Sequence, residues 1–265
     1  MNTTLELRVT GIGAWLPGAA DWPTLQGILR GERGTAAAVP LPSPDILPPA
    51  ERRRAPASVR LAVATAQQAC AMAVCDPAAM PCVFASSLGD PAITDYVCAT
   101  LARAPLELSP TRFHNSVLNA PAGYWTIATG CTAASSAVTA HGLSFSAGLL
   151  EACVIACADA TPVLFACGNV ASTGPLAEMT RTSLACGTAL VLAPASAAGA
   201  KLRLTPRTAT AHSLPPAVAA LRHVADDSPA NAHALALLSI LAARQPAALC
   251  LPLSAGLCLD MEVTP

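Results

Sequence analysis

Cysteine and histidine are the residue types in this sequence that could supply a nucleophile and a base. The sequence has eleven cysteines and five histidines. Most of the cysteines lie in runs of Ala, Val and Leu, where a thiol behaves as a small hydrophobic group. The sequence contains no CxxC pair and no Cys/His group with zinc-finger spacing, so we expect neither a metal site nor a cofactor. An odd number of cysteines without a secretory signal is typical of reduced thiols in a cytoplasmic protein.

The composition argues against nucleic-acid and membrane functions. The net charge is -1 and aromatic residues make up 3% of the 265 residues, too little positive charge and too few stacking platforms for nucleic acid. The most apolar stretch, 142–170, is interrupted by Glu151 and Asp159, so we expect no membrane span. The first residues also lack the features of a signal peptide.

The low charge content leaves two interpretations open. Only 12% of the residues are charged, about half the usual fraction of a globular protein. Such a deficit would arise if a partner chain covered much of the surface. It would also arise from an Ala-rich composition without any partner.

The hydrophobic pattern alternates between strands and helices. Predicted strands cover residues 5–9, 81–86, 135–141, 162–167, 188–192, 201–205, 248–252 and 258–263, and the first strand runs into a predicted glycine turn at 10–13. The main predicted helices cover 22–29, a segment beginning at Pro56, and then 93–103, 121–130, 144–158 and 231–243. Apolar strands alternating with helices predict an α/β fold whose sheet is covered on both faces.

Two stretches resemble known enzymes. Residues 7–13 resemble the opening strand of the β-ketoacyl synthases and thiolases, and residues 109–168 carry a stronger match. The matching positions, in family order and spacing, are Asn119, Ala122, Gly123, Thr126, Ile127, Gly130 and Ser135, followed by the 162–167 strand. The resemblance implies a thiolase-like layered αβαβα fold with a reduced second half. Residues 1–194 would form the synthase-like N-terminal half, and residues 195–265 a shortened C-terminal half completing the same domain.

In this register the position of the family's nucleophilic cysteine is Gly142, and His141 precedes it where a small residue is usual. A glycine has no side chain with which to attack a thioester. The two family histidines that polarise the thioester are also unmatched, because His212, His223 and His233 lie outside the expected His-Gly-Thr-type and Gly-rich loops. The resemblance therefore implies a subunit that does not catalyse condensation by itself.

Two alternatives stay open. Residues 126–131 imitate the family's Ala-Thr-Ala-Cys and would make Cys131 the nucleophile of an autonomous acyltransferase or condensing enzyme. In that register the segment from Asn119 to Gly123 lies too close to the cysteine to leave space for the strand that should come between them. The register also leaves the 162–167 strand unassigned. The chain could also be a homodimeric acyl-binding scaffold without chemistry.

A finer similarity is to the short synthase-like proteins of aryl polyene clusters, carried by residues 50–56, 109–117, 123–125 and 147–152. Leu118 departs from it, since we expect a polar residue there. This resemblance implies a chain length factor that forms a heterodimer with an active β-ketoacyl synthase, encloses the acyl tunnel and meets acyl carrier protein through the complex. The interface and tunnel candidates are Phe113, His114, Asn115, Leu118, Asn119, Tyr124, Trp125, His141 and Phe145. Large rigid side chains such as Tyr124 and Trp125 serve interfaces and cores equally, so both interpretations of these two residues stay open.

Overall fold

The computed structural model describes residues 4–36, 39–180, 182–208 and 214–265. Its strands are β1 Leu5–Trp15, β2 Cys82–Ala85, β3 Ser135–Val138, β4 Val163–Asn169, β5 Cys186–Pro194, β6 Ala200–Thr208, β7 Ala247–Ser254 and β8 Leu257–Thr264. Its α-helices are α1 Trp22–Leu29, α2 Pro49–Arg54, α3 Ala57–Ala73, α4 Pro91–Arg103, α5 Pro110–His114, α6 Ala120–Thr129, α7 Ser144–Ala158, α8 Pro175–Thr180, α9 Arg222–Asp227 and α10 Pro229–Ala243. Every strand and main helix predicted above is present, and α1 and α7 have the predicted bounds.

The predicted glycine turn at 10–13 is wrong, because β1 continues through it to Trp15. The glycines serve a close approach of α3 instead. A Cβ atom at Gly11 would lie 2.1 Å from the carbonyl oxygen of Ala69, and one at Gly13 would lie 2.0 Å from that of Thr65. Strand and helix backbones therefore touch where a side chain would separate them.

The strands form one mixed sheet in the order β3-β2-β4-β5-β1-β6-β8-β7. Strands β3, β2 and β4 are parallel neighbours, whereas β5 runs antiparallel to both β4 and β1. The last three strands, all from the predicted C-terminal part, extend the sheet from β1 with antiparallel pairing. The sheet thus continues across the predicted boundary at residue 194.

Helices cover both faces of the N-terminal strands. One face packs against α3 and α6, in a core that includes Phe84, Trp125 and Leu164. The other packs against α7, which also contacts α10 and the distant strand β7. Because α7 reaches both β2 and β7, which lie far apart in the sheet, the sheet must curl around α7 and α10.

The C-terminal strands turn only one face toward this second core. Leu202, Leu251 and Leu259 are fully buried there. The opposite face is charged: Lys201 pairs with Glu6 at 3.0 Å and Arg203 with Glu262 at 3.5 Å. Within the described ranges no helix covers this outer face, so the layers match the predicted thiolase-like α/β fold with a reduced C-terminal half that lacks the outermost helical layer.

Helix α7 and the turn before it, His141–Ala158, form the one described segment long and apolar enough to cross a membrane by length and composition alone. Leu149, Ala152 and Cys153 on this helix are fully buried against the sheet. This packing is that of a core helix in a globular α/β protein.

Candidate functional site

The loop from β3 to α7 is where the resemblance places a nucleophile. A single 3₁₀ turn, His141–Leu143, joins the strand to the helix. Ser144, which is fully buried, stabilises this turn with two hydrogen bonds. Its Oγ accepts from the backbone N–H of Ala140 at 2.9 Å and donates to the carbonyl oxygen of His141 at 2.7 Å. His141 itself is exposed and has a left-handed backbone with φ of +50°.

Gly142 faces the first residue of α10. A Cβ atom built at Gly142 would lie 3.1 Å from Cγ and 3.2 Å from Cβ of Pro229. The Cβ atom of any other residue would therefore already make a tight contact with this rigid ring, whatever functional group the side chain carried. Pro229 is held in place by the helix start, because Ser228 caps α10 through its Oγ, which accepts from the backbone N–H of Asn231 at 3.2 Å. Such a proline in the first turn is a typical helix start.

A buried polar cluster lies beneath this loop. Ser146 on α7 and His233 on α10 are joined at 3.3 Å between Oγ and Nδ1. The side chain of Asn169 at the end of β4 donates to Asn231 at 3.5 Å and accepts from the backbone N–H of Ser87 at 2.9 Å. The cluster ties the end of β4 and the start of α7 to α10.

Sequence reasoning missed the contributions of Pro229, Asn169 and Asn231. The Ser228-Pro229 pair was the available signal, because a capping serine followed by proline marks a helix start. The predicted helix began at residue 231, which left the contact between Pro229 and Gly142 unforeseen.

The two C-terminal histidines that the structure describes lie on different helices, one buried and one exposed. His233 is 3% exposed and contacts Ser146 from within α10. His223 is exposed on α9. His212 lies outside the described residues.

Cys131 lies at the opposite end of the parallel strands. It follows the C-cap of α6, Gly130, which has a φ of +69°. Strand β3 begins at Ser135, four positions after Cys131. Its Sγ donates to the carbonyl oxygen of Met80 at 3.4 Å, and the residue is 7% exposed. Sites in open α/β sheets lie at the carboxyl ends of the strands, whereas Cys131 is at the amino ends of β2 and β3.

Several other thiols are buried in the core. Burial raises the pKa of Cys153 on α7 and of Cys167 on β4, and it raises the pKa of Cys186 on β5 to about 12. A thiolate is the nucleophilic form of cysteine. These three thiols therefore stay protonated and unreactive at neutral pH.

The predicted interface and tunnel residues separate into two groups. Trp125 and Phe145 are fully buried on opposite faces of the sheet, Trp125 beside Phe84 with ring centroids 6.4 Å apart and Phe145 against Phe165 at 5.4 Å. For these two the structure shows core packing.

Tyr124 links the core to the surface. Its hydroxyl donates to Asn115 Oδ1 at 3.1 Å, and Asn115 Nδ2 donates to the carbonyl oxygen of Arg54 at 3.2 Å. Both Tyr124 and Asn115 are buried. Burial raises the pKa of Tyr124, and the hydrogen bond to Asn115 opposes that rise.

The remaining predicted residues of this segment, Phe113, His114, Leu118 and Asn119, lie on or near the surface, and the exposed Val117 and Ile127 lie in the same stretch of chain before β3. Phe113, Val117 and Ile127 expose 56%, 47% and 75% of their surface; with the strand β3 we call them the β3 surface. His114 and Asn119 are also exposed and line a cavity of about 140 Å³ with Tyr124 and Ile127. Leu118 is half-buried in a narrow crevice beside Asn115 and Val117. Among the residues that the structure describes, β3 is the last strand of the sheet, and no described strand pairs with its outer edge.

Comparison with known proteins places this geometry in a family. A family model described as "Beta-ketoacyl synthase, N-terminal domain" matches residues 28–250. A search of curated proteins gives no match.

Solved structures share the fold. One similar chain comes from the complex of the ketosynthase ApeO with its chain length factor ApeC from Xenorhabdus doucetiae, with 21% identity, a TM-score of 0.72, and coverage of 97% of this chain and 99% of that chain. A chain of the ishigamide ketosynthase/chain length factor has 17% identity and a TM-score of 0.71, with 98% and 99% covered.

A modular ketosynthase differs in length. For the ketosynthase of module 1 of the bacillaene synthase from Bacillus amyloliquefaciens FZB42, the match has 13% identity and a TM-score of 0.53, and it covers 83% of this chain but 49% of that one. The predicted resemblance and the thiolase-like α/β class are thus confirmed. Because the family model matches most of its length, the chain belongs to the β-ketoacyl synthase N-terminal domain family.

Proposed function

We propose that this chain is a non-catalytic chain length factor, which pairs with an active β-ketoacyl synthase in the cytoplasm and shapes the acyl tunnel during polyene or polyketide elongation. The observation that carries the proposal is Gly142, a glycine packed against Pro229 at the head of the buried helix α7. Covalent transfer of an acyl group requires a positioned thiolate, and this position supplies none.

The β3 surface supports pairing with another chain. The free edge of β3 presents backbone N–H and C=O groups that can bond to a further strand. Phe113, Val117 and Ile127, on the segment that leads into β3, add exposed apolar area, and Val117 and Ile127 line one cavity; exposed apolar patches mark protein interfaces. Two structurally similar chains come from structures named for a ketosynthase and its chain length factor, which supports a synthase as the partner.

The proposed effect on chain length is steric. Phe113, His114, Leu118 and Asn119 would meet the partner and limit the cavity in which its acyl chain grows. Tyr124 and Asn115 would hold this segment rigid from behind through their hydrogen bond. Trp125 and Phe145 would support it from the core, and His141 would line the approach beside Gly142. Acyl carrier protein would dock on the complex.

Co-purification tests the proposal. We expect the tagged chain, expressed with the synthase encoded beside it, to elute as a stable heterodimer, whereas the chain expressed alone should aggregate through its uncovered β3 surface. Size-exclusion chromatography with light scattering measures both. A well-behaved monomer without affinity for any synthase contradicts the proposal, and a stable homodimer supports the scaffold alternative.

Restoring a cysteine should not restore chemistry. We expect Gly142→Cys, incubated with an acylated carrier protein, to gain no acyl adduct by intact-protein mass spectrometry, because the two family histidines that polarise the thioester are unmatched in this sequence. The new Cβ atom would in addition lie 3.1 Å from Cγ of Pro229, a tight contact. The wild-type chain should likewise show no adduct on any cysteine, while the active synthase in the same mixture is acylated. A thioester on Cys131 of the wild-type chain would instead establish the autonomous acyltransferase.

A further inference from the structure

Three metal-ligating side chains meet on the hairpin of β7 and β8, far in the chain from Gly142. Cys250 pairs directly opposite Asp260, and Cys258 precedes Asp260 by two residues on the same strand. Alternation along β8 places Cys258 and Asp260 on one face. The two Sγ atoms and a carboxylate oxygen all lie within 4.8 Å of one another.

This cluster is on the outer face of the C-terminal strands. The neighbouring residues Leu251, Leu259 and Met261 point inward and are buried, so the intervening side chains point outward. Cys250 and Asp260 are partly exposed, and Cys258 is 2% exposed. Two of the three ligands are therefore accessible from solvent, and the third, Cys258, lies on the same outer face of β8 beneath the surface.

We propose that Cys250, Cys258 and Asp260 bind a thiophilic divalent cation of the Zn²⁺ type, with water completing the coordination. Two thiolates and a carboxylate form a soft set that favours zinc over magnesium or calcium. Zinc–sulfur bonds of about 2.3 Å in a tetrahedron place two sulfurs about 3.8 Å apart. The ligand atoms lie within 4.8 Å of one another, so they need to approach by at most about 1 Å to match that spacing.

Arg207 already contacts one of the three ligands. Its Nε is hydrogen-bonded to Asp260 from the neighbouring strand β6. A bound cation must compete with this guanidinium for the carboxylate. Arg207 therefore weakens binding, and its loss should strengthen it.

The pattern escaped sequence reasoning because the ligands come from two strands. No short spacing in the chain brings residue 250 near residue 258, and only the antiparallel register does so. The bound ion would cross-link β7 and β8, and it would stabilise the folded chain by mass action, since the unfolded chain holds no preformed site. This inference is independent of the proposed pairing with a synthase.

Cobalt titration of the full reduced chain, alone or in its complex, tests the site. We expect one equivalent of Co²⁺ to give the absorption of tetrahedral cobalt with thiolate charge transfer, and Zn²⁺ to abolish it. The signal should vanish in Cys250→Ser and in Cys258→Ala, and the Asp260→Asn variant should bind at least about tenfold more weakly, since even outer-shell losses reach that size. The Arg207→Gln variant should bind several-fold more tightly.

The matched control is Cys98→Ser, which removes the exposed cysteine on α4 and should leave the titration unchanged. Circular dichroism of each variant verifies that it is folded. A cobalt signal that persists without Cys250 and Cys258, or a wild-type chain that gives none when fully reduced, overturns the proposal. Weaker binding by Arg207→Gln would overturn the assigned competition.

Discussion

The Ile127→Asp variant is expected to lose its complex with the synthase. Ile127 exposes 75% of its surface on α6, the helix that contacts β2 and the edge strand β3. An interface that covers this position would bury an unpaired carboxylate, which costs about 3–5 kcal/mol. Since each 1.4 kcal/mol changes affinity about tenfold, the dissociation constant should rise at least about 100-fold. Surface plasmon resonance or pull-down with the tagged synthase measures the loss.

Met179→Asp is the matched control for this experiment. Met179 is 81% exposed on α8 and is not one of the residues of the β3 surface. Its variant therefore makes the same change, from an exposed apolar residue to a carboxylate, on a different helix. We expect its affinity for the synthase to stay within about twofold of the wild type. Equal losses for both variants would point to a general charge effect, and no loss for Ile127→Asp would remove this helix from the interface.

The sequence was sufficient to predict the order of strands and helices because the apolar runs are long and the breaks between them are clear. The bounds of α7 followed from its largely apolar pattern, in which Glu151 is the one charged residue. The curl of the sheet was not predictable, because it depends on β7 meeting α7 through residues more than eighty positions apart in the chain.

The candidate site was predictable to a similar degree. The resemblance was enough to predict that Gly142 stands at the position of the family's nucleophilic cysteine, because that prediction needs only one residue in one alignment register. The contact with Pro229 could not be predicted, because it joins residues 87 positions apart in the chain. The nine interface and tunnel candidates lie close together in the sequence, but they do not all lie on the same face of the sheet. Trp125 and Phe145, for example, are buried in different cores. Sequence proximity to a site does not decide on which side of a sheet a residue packs.

The glycines of β1 show the same limitation. A glycine in an apolar stretch indicates a turn or a close backbone contact, and local sequence cannot choose between them. The structure identifies the contact: α3 lies directly on β1, and Gly13 is the point where the carbonyl oxygen of Thr65 comes nearest. Gly13 therefore has a backbone conformation that other residues can adopt, but there is no space for a side chain at this position.

The Gly13→Ala variant should consequently be among the most destabilising single-methyl changes in the chain. The new Cβ would lie 2.0 Å from a backbone oxygen, so α3 or β1 must shift as a whole. Overpacking of a core typically costs about 1–3 kcal/mol, and a clash with backbone belongs at or above the upper end. That is a large share of the total stability of a domain, about 5–15 kcal/mol. Urea denaturation followed by circular dichroism measures the loss.

The comparison with Gly123→Ala separates this clash from the intrinsic effect of replacing glycine. Gly123 lies in α6, and a Cβ atom there would meet nothing within 4 Å. Alanine in a helix stabilises relative to glycine by about 0.5–1 kcal/mol, so the two identical substitutions should change the unfolding free energy in opposite directions. If Gly13→Ala were neutral, α3 would have to lie farther from β1 than in this structure, and the packing that holds one face of the sheet would need revision.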